Sequence, residues 1–492
     1  MKPLSNIEIK DFLALPSAQR QEVLRTAIST QHAYHFARNA AYCQTVTARG
    51  VTSVTCPDNL ALLLRPAALT FKGYAERIGP FPQDDPVGFL RWLGEQLSIP
   101  LPDDRWPAFR RRYSGLEALL LDIERIYADL GLEIVTSTGT SGRASMVVRD
   151  AATIELAVNA FFTGIRQVWG IQRGTALVFV MPRDTRVAMA RTARFGTRQL
   201  DWAADSPIYY TMPFSATPDQ LRVRAGRTFR PGVQGLIERR VLHPFMRWAN
   251  EHLADPRYVA STLSCLRECV EAGQPVMLLG GLVQLHAIAR QVSLTTGGAT
   301  AGEKATRNRG FSRSGDQPEK PAKASNPEGQ AAIFGAESRM LRLPPGSRVA
   351  TGGGMKEQYP FTPAQIRADL AVAFGGAPIS DVYGMAEANW AAFECTAGNH
   401  HIPPWVYAVV TDDDDRIMPG PDATGLLAFF DPIGGGNLIP PFFQTADRVQ
   451  LINGGGDCDP ALACPCGYDS PYIRNDIRRV DLIEEAGCAA QV

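Results

Sequence analysis

The sequence predicts an α/β fold, on three observations. Short unbroken apolar runs, Ala176–Met181 and Val276–Leu279 among them, have the length and composition of buried strands. Stretches with helical apolar spacing lie between such runs, and that alternation belongs to α/β architectures. The chain has 492 residues, too many for one simple core, so two to four subdomains are expected.

Taken in order, residues 7–48 carry helical spacing, with Ile7, Phe12 and Leu13 followed by Val23, Leu24 and Ala27. A Pro/Gly-rich stretch runs from Ile78 to Val87, and 88–131 reads as two or three helices. These make up a helical part, residues 1–130. Residues 131–293 form an α/β subdomain. It opens with a strand at Leu132–Val135, the polar turn Thr136–Gly142 and a second strand at Met146–Val148, a hairpin-like loop between strands. A helix at 151–168, a strand at Thr175–Met181, helices at Leu236–Trp248 and Tyr258–Ala272, a strand at Pro275–Leu279 and a helix at Val283–Val292 follow. In 294–330 large apolar residues nearly vanish and Gly, Ser, Thr, Lys, Pro and Asn dominate, which predicts a disordered insertion. Order resumes in 331–452, with a helix at 363–374, a strand at Ile379–Tyr383 and β-rich sequence at Val406–Thr411, Gly425–Asp431 and Val449–Ile452. Residues 453–492 are a Cys-rich segment and a short end.

Lys+Arg and Asp+Glu number 50 each, and zero net charge argues against a nucleic-acid or acidic-membrane surface as main partner. Met1–Lys10 lacks the apolar core of a signal peptide, and no window has the apolar length of a membrane helix. A cytoplasmic protein is expected. Of nine cysteines, Cys395, Cys458, Cys464, Cys466 and Cys488 crowd the last fifth. In a reducing compartment that clustering points to metal or thiol chemistry more than to disulfides.

Four segments have the makings of a nucleotide site. Ser137-Thr138-Gly139-Thr140-Ser141-Gly142 offers hydroxyls and backbone N–H groups to phosphate oxygens; the alternative is a polar hairpin turn. Thr351-Gly352-Gly353-Gly354-Met355-Lys356 and Asp381-Val382-Tyr383-Gly384-Met385-Ala386-Glu387 each follow a predicted strand, and ligands in α/β sheets sit at the carboxyl ends of strands. Glycines let backbone approach a flat ring, Tyr383 is able to stack on it, and Glu387 suits Mg²⁺, which prefers oxygen ligands. Asp447, in Gln444-Thr445-Ala446-Asp447-Arg448, is placed to accept from ribose hydroxyls; the alternative is an ordinary turn aspartate. Phe162, Met181, Trp390 and Phe393 are candidate walls for a second substrate.

In combination these segments resemble the adenylate-forming superfamily of acyl-CoA synthetases, luciferases and adenylation domains. Ser137–Ser145 is similar to its phosphate loop, Asp381–Glu387 to its Tyr-Gly-x-Thr-Glu element and Thr445–Asp447 to its Thr-Gly-Asp element. Within it, Pro275–Leu285, Leu343–Lys356, Asp381–Cys395, His400–Ala408 and Gly425–Asp431 most resemble the acyl-protein synthetase (LuxE-like) family, with phenylacetate-CoA ligase next. The resemblance covers most of residues 30–490. It implies the N-terminal-type multi-subdomain fold of these enzymes, with their C-terminal domain largely absent and Arg479-Val480-Asp481 at the hinge. It implies that Thr138, Gly139, Thr140, Ser141 and Gly142 clasp the phosphates of ATP. Gly352, Gly353 and Gly354 would lie along adenine, and Tyr383, beside Gly384, would stack on it. Glu387 would bind Mg²⁺, Asp447 the ribose, and Arg479 a phosphate near the hinge. The family's usual loop lysine is replaced by Ser145, its Thr by Ala386 and a usual Gly by Ala446; Lys356 would compensate at the α-phosphate.

The reaction implied is formation of an acyl-AMP from ATP and a carboxylic acid, with transfer of the acyl group to an acceptor. Cys488, near the C-terminus, would be the acyl acceptor of an acyl-protein synthetase; the alternative is a free thiol. Rival readings are a small-acid ligase using CoA, an amine or a carrier protein's thiol, and a nucleotide-binding protein without catalysis. Cys464-Pro465-Cys466-Gly467 resembles a Cys-x-Cys segment of phenylacetate-CoA ligases. With Cys395 and His400 it would make a Cys₃His zinc site. The alternative is unligated thiols, and Cys458 is a substitute ligand.

Overall fold

The computed structural model describes residues 7–137, 143–199, 206–296, 340–352 and 359–480. Its centre is one twelve-stranded sheet. The strands are β1 (Arg65–Pro66), β2 (Glu133–Thr136), β3 (Met146–Arg149), β4 (Ala176–Pro182), β5 (Ile208–Met212), β6 (Val276–Gly281), β7 (Arg348–Gly352), β8 (Ile379–Gly384), β9 (Ala391–Glu394), β10 (His400–His401), β11 (Tyr407–Thr411), β12 (Asp422–Phe430), β13 (Phe442–Ile452) and β14 (Tyr472–Arg479). The order is β11-β12-β13-β14-β10-β9-β8-β7-β6-β4-β5, with β1 parallel to β13; β2 and β3 form a separate hairpin.

The sheet has two halves of different character. From β5 through β8 every pairing is parallel, and from β8 through β11 every pairing is antiparallel. The parallel strands are buried on both faces. Ala176, Val178 and Val180 of β4 and Val276 and Leu278 of β6 pack with helices Asp255–Glu271, Leu282–Thr296 and Pro363–Ala373. The alternate residues Leu177, Phe179, Met277 and Leu279 pack with helices Ala151–Trp169 and Ala188–Gln199 on the other side. Period-two alternation sends successive side chains to opposite faces, and each face here meets a helix layer, so the strands read as unbroken apolar runs. Each fully buried Leu or Phe in these layers contributes about 1.5–3 kcal/mol over its exposed state.

Local signals set the helix ends. Asp150 caps Ala151–Trp169 by accepting from the Thr153 N–H, and Thr362 with Gln365 forms a capping box ahead of Pro363. Helix Ala151–Trp169 lies so close to β9 that a Cβ on Gly164 would stand 2.1 Å from the Phe393 ring. Phe162, Met181 and Phe393 fill this interface, whereas Trp390 belongs to a different cluster and packs edge-on against Phe429 at 5.1 Å. The four candidate wall residues are thus all buried, three in one core cluster and Trp390 in another. Among the described residues no helix is long and apolar enough to cross a membrane. The expected disordered insertion falls almost wholly outside the described residues.

Candidate functional site

The sheet changes character at β8, which pairs in parallel with β7 and antiparallel with β9. Gly352, the last residue of β7, is registered with Val382, so Tyr383 and Gly384 continue β8 beside the end of the glycine strand. From there the Tyr383 hydroxyl donates to Oδ2 of Asp447 at 2.7 Å. Burial, reinforced by the Asp447 carboxylate, pushes the Tyr383 hydroxyl well up, so it remains a donor at any physiological pH. Asp447 lies on β13 opposite Arg479 of β14, and its N–H donates to the Thr445 hydroxyl at 3.1 Å. The bond joins strands that are not neighbours in the sheet; the sheet bends enough for the end of β8 to meet the middle of β13.

The β2–β3 hairpin comes in against the same spot. Its loop is closed by the Ser145 N–H donating to the Ser137 hydroxyl at 2.9 Å and the Ser137 N–H donating to the Ser145 carbonyl at 3.3 Å. The buried Ser145 hydroxyl donates to the Glu387 carboxylate. Arg149, at the end of β3 and only 3% exposed, donates to the carbonyls of Ala386 at 3.0 Å and Ala388 at 2.7 Å. Two carbonyls flanking Glu387 are thus held by one guanidinium. Burial pulls the Arg149 pKa down to about 10, and Glu387 acts to raise it. The hairpin itself is anchored by Arg186, buried and bonded to Glu117, to Glu124 and to the Ile134 carbonyl at 3.0 Å.

A further cation joins them. Lys72, half-buried at the end of helix Ala67–Lys72, has its pKa lowered by burial, raised by Glu387 and lowered again by Arg479 and Arg143. Lys72 therefore lies within electrostatic reach of the Glu387 carboxylate and of the Arg479 and Arg143 guanidiniums. Tyr74, whose hydroxyl donates to the Ala144 carbonyl at 3.0 Å, backs the hairpin next to Arg143. Three cations and one anion around the base of a Ser/Gly hairpin make a setting for a polyanion with a divalent cation.

Of the residues predicted from sequence, Gly352, Tyr383, Gly384, Glu387, Asp447 and Arg479 are brought into this one region. Thr138, Gly139, Thr140, Ser141, Gly142, Gly353, Gly354, Lys356 and Cys488 lie outside the described residues. Sequence reading missed Lys72 and Arg149. Arg149 had a local sign, an arginine closing the apolar run Met146–Arg149. Lys72 had none, because the groups around it come from positions distant along the chain.

The zinc ligand set needs a correction. Among the described residues Cys395, His401, Cys464 and Cys466 place one ligand atom each within 4.8 Å of the others. His400, the predicted ligand, points elsewhere. Neighbouring residues of a strand face opposite ways, and His400 Nε2 lies 3.3 Å from Asp381 Oδ2 while Thr351 donates to Asp381 Oδ1 at 2.6 Å. Burial would raise the Asp381 carboxyl, but the bonds from His400 and Thr351 outweigh it and hold it below its usual value. Cys458 is exposed and outside the cluster.

No family model matches the chain, and no curated protein matches it in sequence. Solved structures do match in fold. An open conformation of 2-hydroxyisobutyryl-CoA ligase in complex with 2-HIB-AMP and CoA superposes with a TM-score of 0.52 at 14% identity, over 95% of this chain and 76% of that one. The same ligase in its thioesterification state gives 0.52 at 14% identity, over 95% and 70%. The chain thus shares the fold of this CoA ligase.

Proposed function

We propose that this protein is an ATP-dependent, AMP-forming ligase that activates a carboxylic acid and hands the acyl group to a thiol. The observation that carries the reading is the Glu387 segment held by Ser145 and Arg149 of the hairpin and faced by Lys72, beside the Tyr383–Asp447 pair and at the carboxyl ends of β7 and β8. Parallel-sheet ligands bind at such ends. The acyl-AMP and CoA held by the structurally similar ligase support the same pair of half-reactions here.

In the first, a carboxylate oxygen attacks the α-phosphorus of ATP. The new O–P bond forms as the bond from the α-phosphorus to the bridging oxygen breaks, and pyrophosphate leaves with the electron pair. A carboxylate is already ionised at neutral pH, so no strong base is needed. Charge grows on the departing oxygens, and Lys72, Arg143 and Arg479 would meet it there. Glu387 would hold Mg²⁺, which when bound neutralises phosphate charge; its carboxylate and the neighbouring Ser145 hydroxyl are hard oxygen donors of the kind Mg²⁺ takes. Arg149 would keep the Glu387 segment in place, and Asp447, with Oδ2 committed to Tyr383, keeps Oδ1 for a ribose hydroxyl. In the second half-reaction a thiol attacks the acyl carbonyl and AMP leaves.

The finer reading is an acyl-protein synthetase of the LuxE-like kind working in the reducing cytoplasm, with Cys488 as acyl carrier. CoA, an amine or a partner protein's thiol are the competing acceptors.

The test is ATP–pyrophosphate exchange with magnesium across a panel of carboxylic acids, with the adenylate identified by mass. Acid-dependent exchange is expected. No exchange with any acid, together with retained ATP binding, would make the protein a nucleotide binder. If Cys488→Ser keeps exchange but abolishes acyl labelling of the protein, the acceptor is Cys488; if product on CoA is untouched, it is not.

A further inference from the structure

We infer that Cys395, His401, Cys464 and Cys466 form a closed structural zinc centre that clasps the β9–β10 turn to the segment leading into β14. The inference is independent of the ligase reading. Three kinds of observation support it.

The first is spacing. Cys395 Sγ and Cys464 Sγ are 3.7 Å apart. A disulfide holds sulfurs at about 2.05 Å, whereas two thiolates on one tetrahedral zinc, each at about 2.3 Å, stand about 3.8 Å apart. Cys466 Sγ and His401 Nε2 are 3.2 Å apart, close to the roughly 3.5 Å of a tetrahedral S–Zn–N edge.

The second is the histidine tautomer. Ser470 Oγ donates to the Pro471 carbonyl at 3.2 Å, and its lone pairs face His401 Nδ1 at 2.9 Å. Nδ1 is then the protonated nitrogen, and Nε2 turns a bare lone pair toward the three sulfurs. A hydrogen bond that fixes the tautomer from the far side of the ring is the usual support of a metal-bound histidine.

The third is how the sulfurs are solvated. Cys395 accepts from the Ala397 N–H at 3.4 Å, Cys466 from the Tyr468 N–H at 3.4 Å and Cys464 from the Asn399 side-chain amide at 3.3 Å. Each sulfur receives at least one N–H donor, an arrangement that favours thiolates. Gly467, at φ 81°, closes the turn that carries both cysteines by donating its N–H to the Cys464 carbonyl at 3.0 Å, a conformation a side chain would strain.

With three thiolates and one imidazole, four positions are filled and no open one is left for substrate, so the centre is structural. Its site in the fold gives it a task. His401 pairs across β10 with Phe393 of β9 and Tyr472 of β14. Its neighbour His400 contacts Asp381, which is bonded to Thr351 just before Gly352. The clasp therefore ties the start of the strand that carries Arg479 to the ends of β7 and β8.

The experiment uses full-length protein purified without chelator under reducing conditions. Metal analysis by mass spectrometry is expected to find about one zinc per chain. Cobalt exchanged into the site should give the intense visible bands and sulfur-to-metal charge transfer of a tetrahedral thiolate site. His401→Ala and Cys464→Ser should lose the metal, and His400→Ala and Cys458→Ser should retain it. Should the first two variants fail to fold, stripping the wild-type protein with chelator and titrating it with cobalt still decides the matter. Wild-type protein that holds no zinc after growth with added zinc and takes up no cobalt would overturn the proposal. So would loss of the metal from His400→Ala with retention in His401→Ala.

Discussion

At the scale of single residues, Gly352 and Lys72 test the site from opposite directions. A Cβ on Gly352 would meet nothing closer than Met189 Cε at 3.3 Å, the free end of a flexible side chain. The protein itself therefore has little need of glycine here; what would need it is a flat ring lying on the backbone. Gly352→Ala should fold with an unchanged or slightly raised melting temperature, since alanine loses less entropy on folding. Its KM for ATP should rise about tenfold, equivalent to ~1.4 kcal/mol of lost contact. An unchanged KM would place adenine elsewhere. Lys72 is a different case, because its charge is partly desolvated and set against Arg143 and Arg479. Removing the ammonium ends its desolvation, the largest effect, together with the arginine repulsion, against the lost attraction of Glu387, and forfeits attraction to phosphate in the reaction. Lys72→Met should therefore be at least as heat-stable as wild type, while its exchange rate drops by about 10²–10³, the size of effect seen when one preorganised donor is lost. A stable variant with full exchange activity would remove Lys72 from the phosphate site.

At the scale of elements, the site exists because a small hairpin is pinned across the end of a large sheet. Arg149 is the pin, since β3 touches the Glu387 segment through its guanidinium. Arg149→Met keeps the length of the side chain but leaves the Ala386 and Ala388 carbonyls without that donor, at a cost of about 2–5 kcal/mol in urea unfolding. The exchange reaction should lose kcat more than ATP KM, because Glu387 is displaced while Gly352, Tyr383 and Asp447 are not. Equal losses would mean that Arg149 supports the nucleotide pocket as a whole. The elements themselves were legible in sequence to very different degrees. Strands β4 and β6 and helix Ala151–Trp169 were readable because burial on both faces, or on one stripe, writes a continuous or periodic apolar pattern. Strands β9, β10 and β14 were not. They are short or carry charge, as in Arg474, Arg478 and Arg479, and they exist because neighbours pair with them. The same distinction explains the site. Glycine, tyrosine and aspartate were visible in their motifs, whereas Lys72 and the choice of His401 over His400 depend on which way a side chain points after long-range pairing.

At the scale of the whole molecule, two buried ionisable groups make stability depend on pH in opposite senses. His35 is fully buried, with Nδ1 2.6 Å from the Ser98 hydroxyl and Nε2 2.9 Å from Gln31 Oε1. Burial, with the charges of Arg65, Arg38 and His32 adding to it, holds its pKa well below the usual value. Below about pH 6.5 the unfolded chain takes up a proton that the folded chain refuses, so this group destabilises the fold as pH falls. Asp431 does the reverse. It is 1% exposed, Oδ1 accepts from the Gly434 N–H at 3.0 Å, and Oδ2 has no hydrogen-bond partner among the described residues. Burial raises its pKa to about 7. Between about pH 4 and pH 7 the folded chain keeps a proton that the unfolded chain has lost. Its contribution therefore falls as pH rises through that window, with a limiting slope of about 1.4 kcal/mol per pH unit, and levels off above it. Because the two groups oppose each other between about pH 4 and 6.5, the wild-type curve alone would hide both, and the informative quantity is a difference. Asp431→Asn keeps the shape and cannot ionise. Subtracting its urea-unfolding free energy from that of wild type across pH 5–8 should give a difference that grows against the wild type by about 2–3 kcal/mol up to pH 7 and is flat beyond. A difference that is level throughout would mean that the Asp431 carboxyl ionises as easily inside the fold as outside it, and that the pocket it shares with Glu387 and Arg149 is wetter than its walls imply.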